Sequence, residues 1–300
     1  MRIGSSAMGA DLSAQFSLNR SFDKFTRAAV QLSTMKRINT GSDDPAGLMA
    51  AQAIHAELES LDRAARNATR AREMVSVADT GMEQTSELLT TIRGALMEVG
   101  GGMLGDSEVK AKQLEIDAAI DAVNRIGATT NYNGRDLLDG ETLNFALTSD
   151  PGVRSELTLP EINAAALGGD SGTLNDLASG GSAAAEGGDL AQAMAIIDEA
   201  SSQVMEARAE AGAFEKYAVD SAQRTTESMQ VELSSALSEI ADTNVAQAAS
   251  EMVRAQVLID AGVAALSFTL EQRENASSMI AMAGVGGFKG FGPFGRSPYF

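Results

Sequence analysis

Apolar residues set the reading of this chain. From Leu18 onward, Leu18, Phe22, Phe25, Ala29 and Leu32 recur at alternating steps of four and three, which predicts one stripe of a helix. The clearest pattern starts near Pro45: Ile54, Leu61, Ala68, Val75, Met82, Leu89 and Leu96 repeat every seven residues, with Leu58, Ala65, Ala71, Ala78, Ile92 and Val99 as a companion seam. A seven-residue repeat sustained this long predicts a left-handed supercoiled contact with another helix. Gly100-Gly101-Gly102 and Gly105 break that helix, and Asp106 or Ser107 is positioned to cap the next, expected from Glu108 to about Thr129. Helix resumes at Asp189, and late in the chain Val245, Met252, Ile259 and Leu266 again repeat by seven, with Ala248, Ala255, Gly262 and Thr269 beside them. Those small residues permit close approach of a neighbouring helix.

Between these helical ends the period changes. Leu143, Phe145 and Leu147 alternate, Ser149-Asp150-Pro151-Gly152 is a turn, and Val153, Leu157 and Leu159 follow, so a small hairpin is expected. From Pro160 to Gly188 the chain is rich in Gly, Ala, Ser and Asp with little to bury, and reads as loop with at most a short helix. The first two helices meet at Leu32 to Leu48. There Asn39 and Gly41 tolerate left-handed backbone, Ser42, Asp43 and Asp44 are cap residues, and Pro45 suits a first helical position.

Composition sharpens this picture. Aromatics are only 4% of the 300 residues and Trp is absent, while 44% are hydrophobic, which suits close-packed long helices better than sheets. A formal net charge of −18 argues against nucleic acid or an anionic membrane as partner, since both require clustered Lys and Arg. With no Cys, disulfides, thiolate metal sites and cysteine nucleophiles are excluded. No run of 18 consecutive apolar residues occurs, so no membrane span is expected. The N-terminus lacks a continuous apolar segment followed by a cleavage site.

Candidate chemistry is sparse. His55 and Glu59 sit one helical turn apart, but one His and one carboxylate do not close a metal site. Asp43 and Asp44 are adjacent, which suits capping rather than paired acid–base work. Gly284 to Gly290 opens no expected helix, so it is not read as a dinucleotide loop. No catalytic residue, metal or cofactor is expected.

The order of residues at the helical turn is more particular than a turn requires. Leu32-Ser33, then Arg37-Ile38-Asn39, then Ser42-Asp43-Asp44-Pro45-Ala46-Gly47-Leu48 resembles the N-terminal signature of bacterial flagellins. Further phrases are similar to that family in the same order: Asn131 to Gly140, Ile197 to Ala200, Arg208 to Ala213, Ile240 to Asn244, and Glu251 to Leu258. The resemblance covers about residues 1–140 and 189–280. It implies a mainly α fold: a long antiparallel coiled-coil bundle built from the N- and C-terminal segments, with a small β/loop insert between them. The corresponding domains are 1–140, an insert at 141–188, 189–280, and a Gly/Phe-rich tail at 281–300.

What the resemblance implies for function is assembly without catalysis. The chain would polymerise with other flagellin subunits into an extracellular filament for motility. Hook-associated junction and cap proteins, an export chaperone and the type III export apparatus would be its further partners, with neither nucleic acid nor membrane among them. A hook–filament junction protein is the alternative within the class, and a secreted helical effector the alternative outside it. The self-assembly residues expected at the turn are Arg37, Ile38, Asn39, Asp43, Asp44, Pro45 and Gly47, because Arg37 and Asn39 exceed what a turn needs. The seam residues are Ile54, Leu61, Val75, Met82, Leu89, Leu96, Val245, Met252, Ile259 and Leu266. The tail rings Phe288, Phe291, Phe294, Tyr299 and Phe300 are expected to serve a chaperone or neighbouring subunits.

Overall fold

The computed structural model describes residues 3–150 and 152–285. Its helices are α1 (Ile3–Thr34), α2 (Pro45–Gly100), α3 (Asp106–Thr129), α4 (Leu190–Ala213), α5 (Asp220–Ala241) and α6 (Val245–Val285). A π-helical turn, Phe214–Val219, joins α4 to α5. Six short strands, β1 (Asn131–Tyr132), β2 (Arg135–Asp136), β3 (Thr142–Phe145), β4 (Ser155–Thr158), β5 (Gly168–Gly169) and β6 (Gly172–Thr173), pair as three antiparallel hairpins. The fold is thus mainly α with a small β/loop insert. It divides into two units: the described residues up to Gln52 with those from Leu237 onward, and Ala53–Ala236. The tail rings from Phe288 to Phe300, Pro151 of the expected turn, and most of the Gly284 to Gly290 loop lie outside the described residues.

In the unit Ala53–Ala236, α2 is the spine. Its buried positions Leu61, Ala64, Ala68, Ala71, Val75, Ala78, Met82, Thr85, Leu89, Ile92 and Leu96 alternate by threes and fours, a seam two residues wide per heptad. Ile54 is half-buried. The companion seam differs from the expected one: Ala64 and Thr85 occupy it, while Leu58 and Ala65 stand one position off and are only partly covered. Thr85 escaped an apolar search because it is polar, yet its hydroxyl donates to the Gly81 carbonyl at 2.9 Å and its methyl packs like an alanine's. Helix α3 returns antiparallel, with Lys112 on Glu98 at 2.8 Å. Helices α4 and α5 run back along α2, through Arg93 to Asp198 at 3.1 Å, Arg208 to Asp79 at 2.8 Å, and Arg72 to Asp220.

The cap of α3 is not Asp106 or Ser107. Gly105 takes the N-cap position, and the Glu108 carboxylate reaches back to accept from its N–H at 2.9 Å. A helix starting two residues earlier than expected places the acidic pair Asp106 and Glu108 in its first turn, where the dipole favours them. Asp189 does cap α4, accepting from Ala191 and Gln192 N–H groups.

The insert contains the expected hairpin. Leu143 faces Leu157 across β3 and β4, both buried, while the Thr142 and Thr158 hydroxyls meet on the outer face at 2.9 Å. Phe145 packs on Phe214 with ring centroids 5.3 Å apart. Asn131 to Asp136, within the flagellin-like phrase Asn131 to Gly140, forms the β1–β2 hairpin, because Asn133 and Gly134 both take positive φ (54° and 80°).

Residues 160–188 overturn the expectation of little to bury. Ile162, Ala164, Leu167, Leu174, Leu177, Ala183, Ala184 and Ala185 are all buried. What makes this possible is a polar ladder on each flanking helix. From α3, Gln113 donates to the Leu177 carbonyl at 2.9 Å and accepts from Ala185 N–H at 2.7 Å, and Asn124 accepts from Ala164 N–H at 2.7 Å. From α4, Gln192 donates to the Ser171 carbonyl at 2.8 Å, and Gln203 accepts from Gly168 N–H at 3.1 Å. A segment whose regular structure is only the β5–β6 hairpin and a 3-10 turn, Leu174–Leu177, stays buried because side-chain amides satisfy the rest of its backbone.

In the other unit, α1 and α6 pair antiparallel: Thr243 N–H donates to the Met35 carbonyl at 3.0 Å, and Leu18 lies against Gly262 some five helical turns away. Ser21 and Ala28 are buried here with Leu18, Phe25 and Leu32 partly covered, whereas Phe22, expected on the seam, is 46% exposed. The true period runs one position earlier, and small residues occupy it because they let the helices approach. On α6 the covered positions are Ala248, Met252, Ala255, Ile259, Gly262 and Leu266, again in threes and fours. Val245 is 50% exposed instead, since α1 ends at the level where α6 begins, and Thr269 is also exposed. By length and composition alone, Val245–Met279 of α6 is apolar enough to cross a membrane, with mean hydropathy 1.4, although it contains no run of 18 consecutive apolar residues.

Candidate assembly interface

The turn between α1 and α2 is built from its ends inward. Met35 leaves α1 with φ 57°, so the left-handed residue is Met35, and neither Asn39 nor Gly41 has positive φ. Asn39 serves differently: its side-chain amide donates to the Lys36 carbonyl at 2.8 Å, closing an orphan acceptor at the helix end. Asp43 is the hub of the turn. Its Oδ2 accepts from Asn39 N–H at 3.1 Å, Thr40 N–H at 2.9 Å and the Thr40 hydroxyl at 3.0 Å. Asp44 caps α2 by accepting from Gly47 N–H at 2.9 Å, ahead of Pro45 in the first helical position. Ile38 is 6% exposed and sits over Gly47, where an added Cβ would lie 2.6 Å from Ile38 Cδ1. A larger residue there would have to displace the Ile38 methyl and the capping Asp44 carboxylate, 2.5 Å from the added Cβ.

The turn also grips the connection between α5 and α6. Arg37 N–H donates to the Ala241 carbonyl at 2.7 Å, its guanidinium donates to the Ile240 carbonyl, and Nη1 stands 3.8 Å from Asp44. Lys36 and Asp242 form an antiparallel bridge beside it. Arg37 and Asn39, whose surplus over turn chemistry suggested a contact to another copy, therefore have their partners within this chain. Residues Ile240 to Thr243 are part of the constellation and were legible only as a recurring phrase, because their partners lie some two hundred residues earlier.

Backbone and hydroxyl donors hold the Asp43 carboxyl below its ordinary value of 3.8: the Thr40 N–H first, then the Asn39 N–H and the Thr40 hydroxyl. A depressed carboxylate contributes stability that is complete above its unfolded value and is lost as pH falls through the folded one. The turn should therefore hold to a pH below about 4 and open under stronger acid. Amide resonances of Asn39 and Thr40, followed through an acid titration, should move in that range in the native chain. They should stay flat in Asp43→Asn.

The α1–α6 pair supplies the second part of the interface. Opposite its α1-facing seam, α6 carries Val253, Val257 and Phe268, which are 59%, 60% and 61% exposed, with Ala261 and Ala264 between them. On α1, Leu12, Phe16, Phe22 and Val30 are exposed as well. A helix apolar on two faces has buried only one of them in the single chain. Of the expected seam residues, Leu61, Val75, Met82, Leu89, Leu96 and Ile259 are buried, Ile54, Met252 and Leu266 partly so, and Val245 exposed. His55 is exposed, and the Glu59 carboxylate is engaged by Arg63 at 2.6 Å.

Comparison with known proteins places both helical ends. The bacterial flagellin N-terminal helical region matches residues 6–142, and the bacterial flagellin C-terminal helical region matches residues 194–275. A B-type flagellin of Pseudomonas aeruginosa is 30% identical over 161 residues, covering 53% of this chain and 33% of that protein. Flagellin B of Vibrio anguillarum is 31% identical over 175 residues, covering 57% of this chain and 46% of that protein. The chain thus spans less than half the length of these curated relatives. A solved structure of FliC from Burkholderia pseudomallei covers 57% of this chain and 99% of that one, at 20% identity and a TM-score of 0.32.

Proposed function

This chain belongs to the bacterial flagellin family, and from that premise we propose that it is a structural subunit that polymerises with copies of itself into a flagellar filament for motility. The observation that carries the proposal is the second apolar face of α6, Val253, Val257 and Phe268, which no described residue of the single chain covers. Contact between that face and a different surface of the next copy is heterologous, and a heterologous contact that does not close on itself makes a helical polymer. The role is mechanical, with no reaction catalysed. Its place is outside the cell, reached through the type III export apparatus with a chaperone, and its further partners are hook-associated junction and cap proteins. The two matching families are those of flagellin itself, which favours the filament subunit over the junction protein.

Electron microscopy of the purified chain after nucleation with salt tests this reading. Long filaments are expected, because salt screens the charge of −18 that separates copies. Short closed oligomers, or monomer at every salt concentration, would overturn it.

A further inference from the structure

Charge is divided unevenly along this chain. Residues 53–236 hold thirteen basic and thirty-one acidic side chains, the whole formal surplus of −18, while the flanking segments together hold ten of each. Within the α1–α6 unit, a groove of about 390 Å³ runs between the two helices. Ala28 and Ala255, each 2% exposed, form its floor, and their small side chains leave the depth. Its walls carry Lys24 and Arg27 from α1 and Arg254 from α6, all exposed. The acid lining the groove is Glu251, whose carboxylate accepts from Gln247 at 3.2 Å. Arg27 also borders the neighbouring cavity beside the turn, where Asp23 and Asp43 stand. None of the three cations has an ion pair among the described residues. In a chain with so large an acidic surplus, three cations around one groove without a paired carboxylate are a localised departure from the overall charge.

We propose that this groove is a docking site for a second copy of this chain, and that its occupant is the acidic surface of that copy's 53–236 segment. The inference rests on the filament reading and adds to it the surface and the chemistry of one contact. Charge complementarity supports it: the groove is cationic on a unit whose charges balance only when the groove is counted, and carboxylates in excess are what the rest of the chain supplies. Lys24 and Arg27 are one turn apart on α1 and face Arg254 across the floor, so carboxylates from one helical surface are met from both walls. Leu258, 49% exposed at the groove, adds an apolar contact that a free inorganic anion would not use.

The test compares native chain with Arg27→Glu/Arg254→Glu, and with Arg20→Glu/Arg273→Glu, which changes net charge equally at exposed positions of the same unit outside the groove. Critical concentrations for polymerisation are read by sedimentation from about 0.05 to 0.5 M NaCl, a range that shortens the screening length. The groove variant should raise the critical concentration about a hundredfold at the low-salt end, with the gap narrowing as salt rises, and the control should stay within about threefold. Far-UV circular dichroism of the unpolymerised subunits checks that both variants fold. Equal shifts in the two variants, or none in the groove variant while native chain polymerises, would overturn the groove and leave the filament reading intact. No polymer from native chain at any salt would instead overturn the filament reading itself. Cosedimentation of native chain with vesicles of phosphatidylserine and phosphatidylcholine, lost in the groove variant, would assign the groove to a lipid headgroup and overturn the proposal.

Discussion

Gly127→Ala should destabilise the Ala53–Ala236 unit by about 3 kcal/mol, the top of the ordinary range for overpacking a core. Gly127 is buried in α3, and a Cβ built there would lie 1.8 Å from the Ile162 carbonyl oxygen. A side chain in that position would rotate away. A backbone carbonyl does not, and this one belongs to a residue whose N–H donates to Leu138 O at 2.9 Å, two residues before Ala164, which donates to Asn124 at 2.7 Å. The insert has to leave α3, or α3 has to shift along α2. Alanine gains about 1 kcal/mol of helix propensity over glycine, too little to offset the loss of those contacts. At 2–4 °C per kcal/mol for a unit of this size, the thermal midpoint should fall by roughly 6–12 °C. Gly94→Ala in α2 is the matched control, since nothing lies within 4 Å of its added Cβ, and it should raise stability by up to about 1 kcal/mol. Equal midpoints for the two variants would mean that α3 and the insert are not in that contact.

Those two glycines illustrate what the sequence discloses. Periodicity is a property of one helix read by itself, so the α2 stripe from Leu61 to Leu96 was legible directly. Which of two adjacent positions faces the partner is not always so legible: Phe22 was favoured over Ser21, and Ala65 over Ala64, in each case on apolar spacing alone. At Ser21 the inner position goes to the smaller residue, because a short distance between axes leaves no room for a ring, whereas Ala64 and Ala65 are the same size and only the register of the partner decides between them. The turn was legible in its capping residues, Asp44 and Pro45, which act on their own neighbours. It was not legible in Arg37, whose partners Ile240 and Ala241 lie two hundred residues later. Residues 160–188 were the least legible. Their buried side chains are scattered among glycines with no period, and what keeps them inside is a set of amides on α3 and α4, residues that pass on a sequence for solvated helix surface.

Replacing Val253 and Val257 together with serine should leave the free subunit folded and abolish its polymerisation at ordinary concentrations. Both valines are about three-fifths exposed on the face of α6 turned away from α1, so the folded chain gains little by holding them and loses little when they become polar. In a polymer that covers this face, each valine, already about two-fifths covered, contributes about 1 kcal/mol when its remainder leaves water. Serine forfeits that gain and adds a hydroxyl to desolvate, at about 1–3 kcal/mol if it finds no acceptor. Two such positions amount to roughly 4 kcal/mol per contact, or a critical concentration about a thousandfold higher. The thermal midpoint of the unpolymerised subunit, measured beside it, should move by no more than a degree or two, since exposed substitutions of this kind fall within about 0.5 kcal/mol. The two readouts separate an assembly face from a fold element. A lower midpoint with unchanged critical concentration would place these valines in the packing of the single chain. The expected pattern, unchanged midpoint and lost polymer, would mean that the second apolar face of α6 exists for the neighbouring copy.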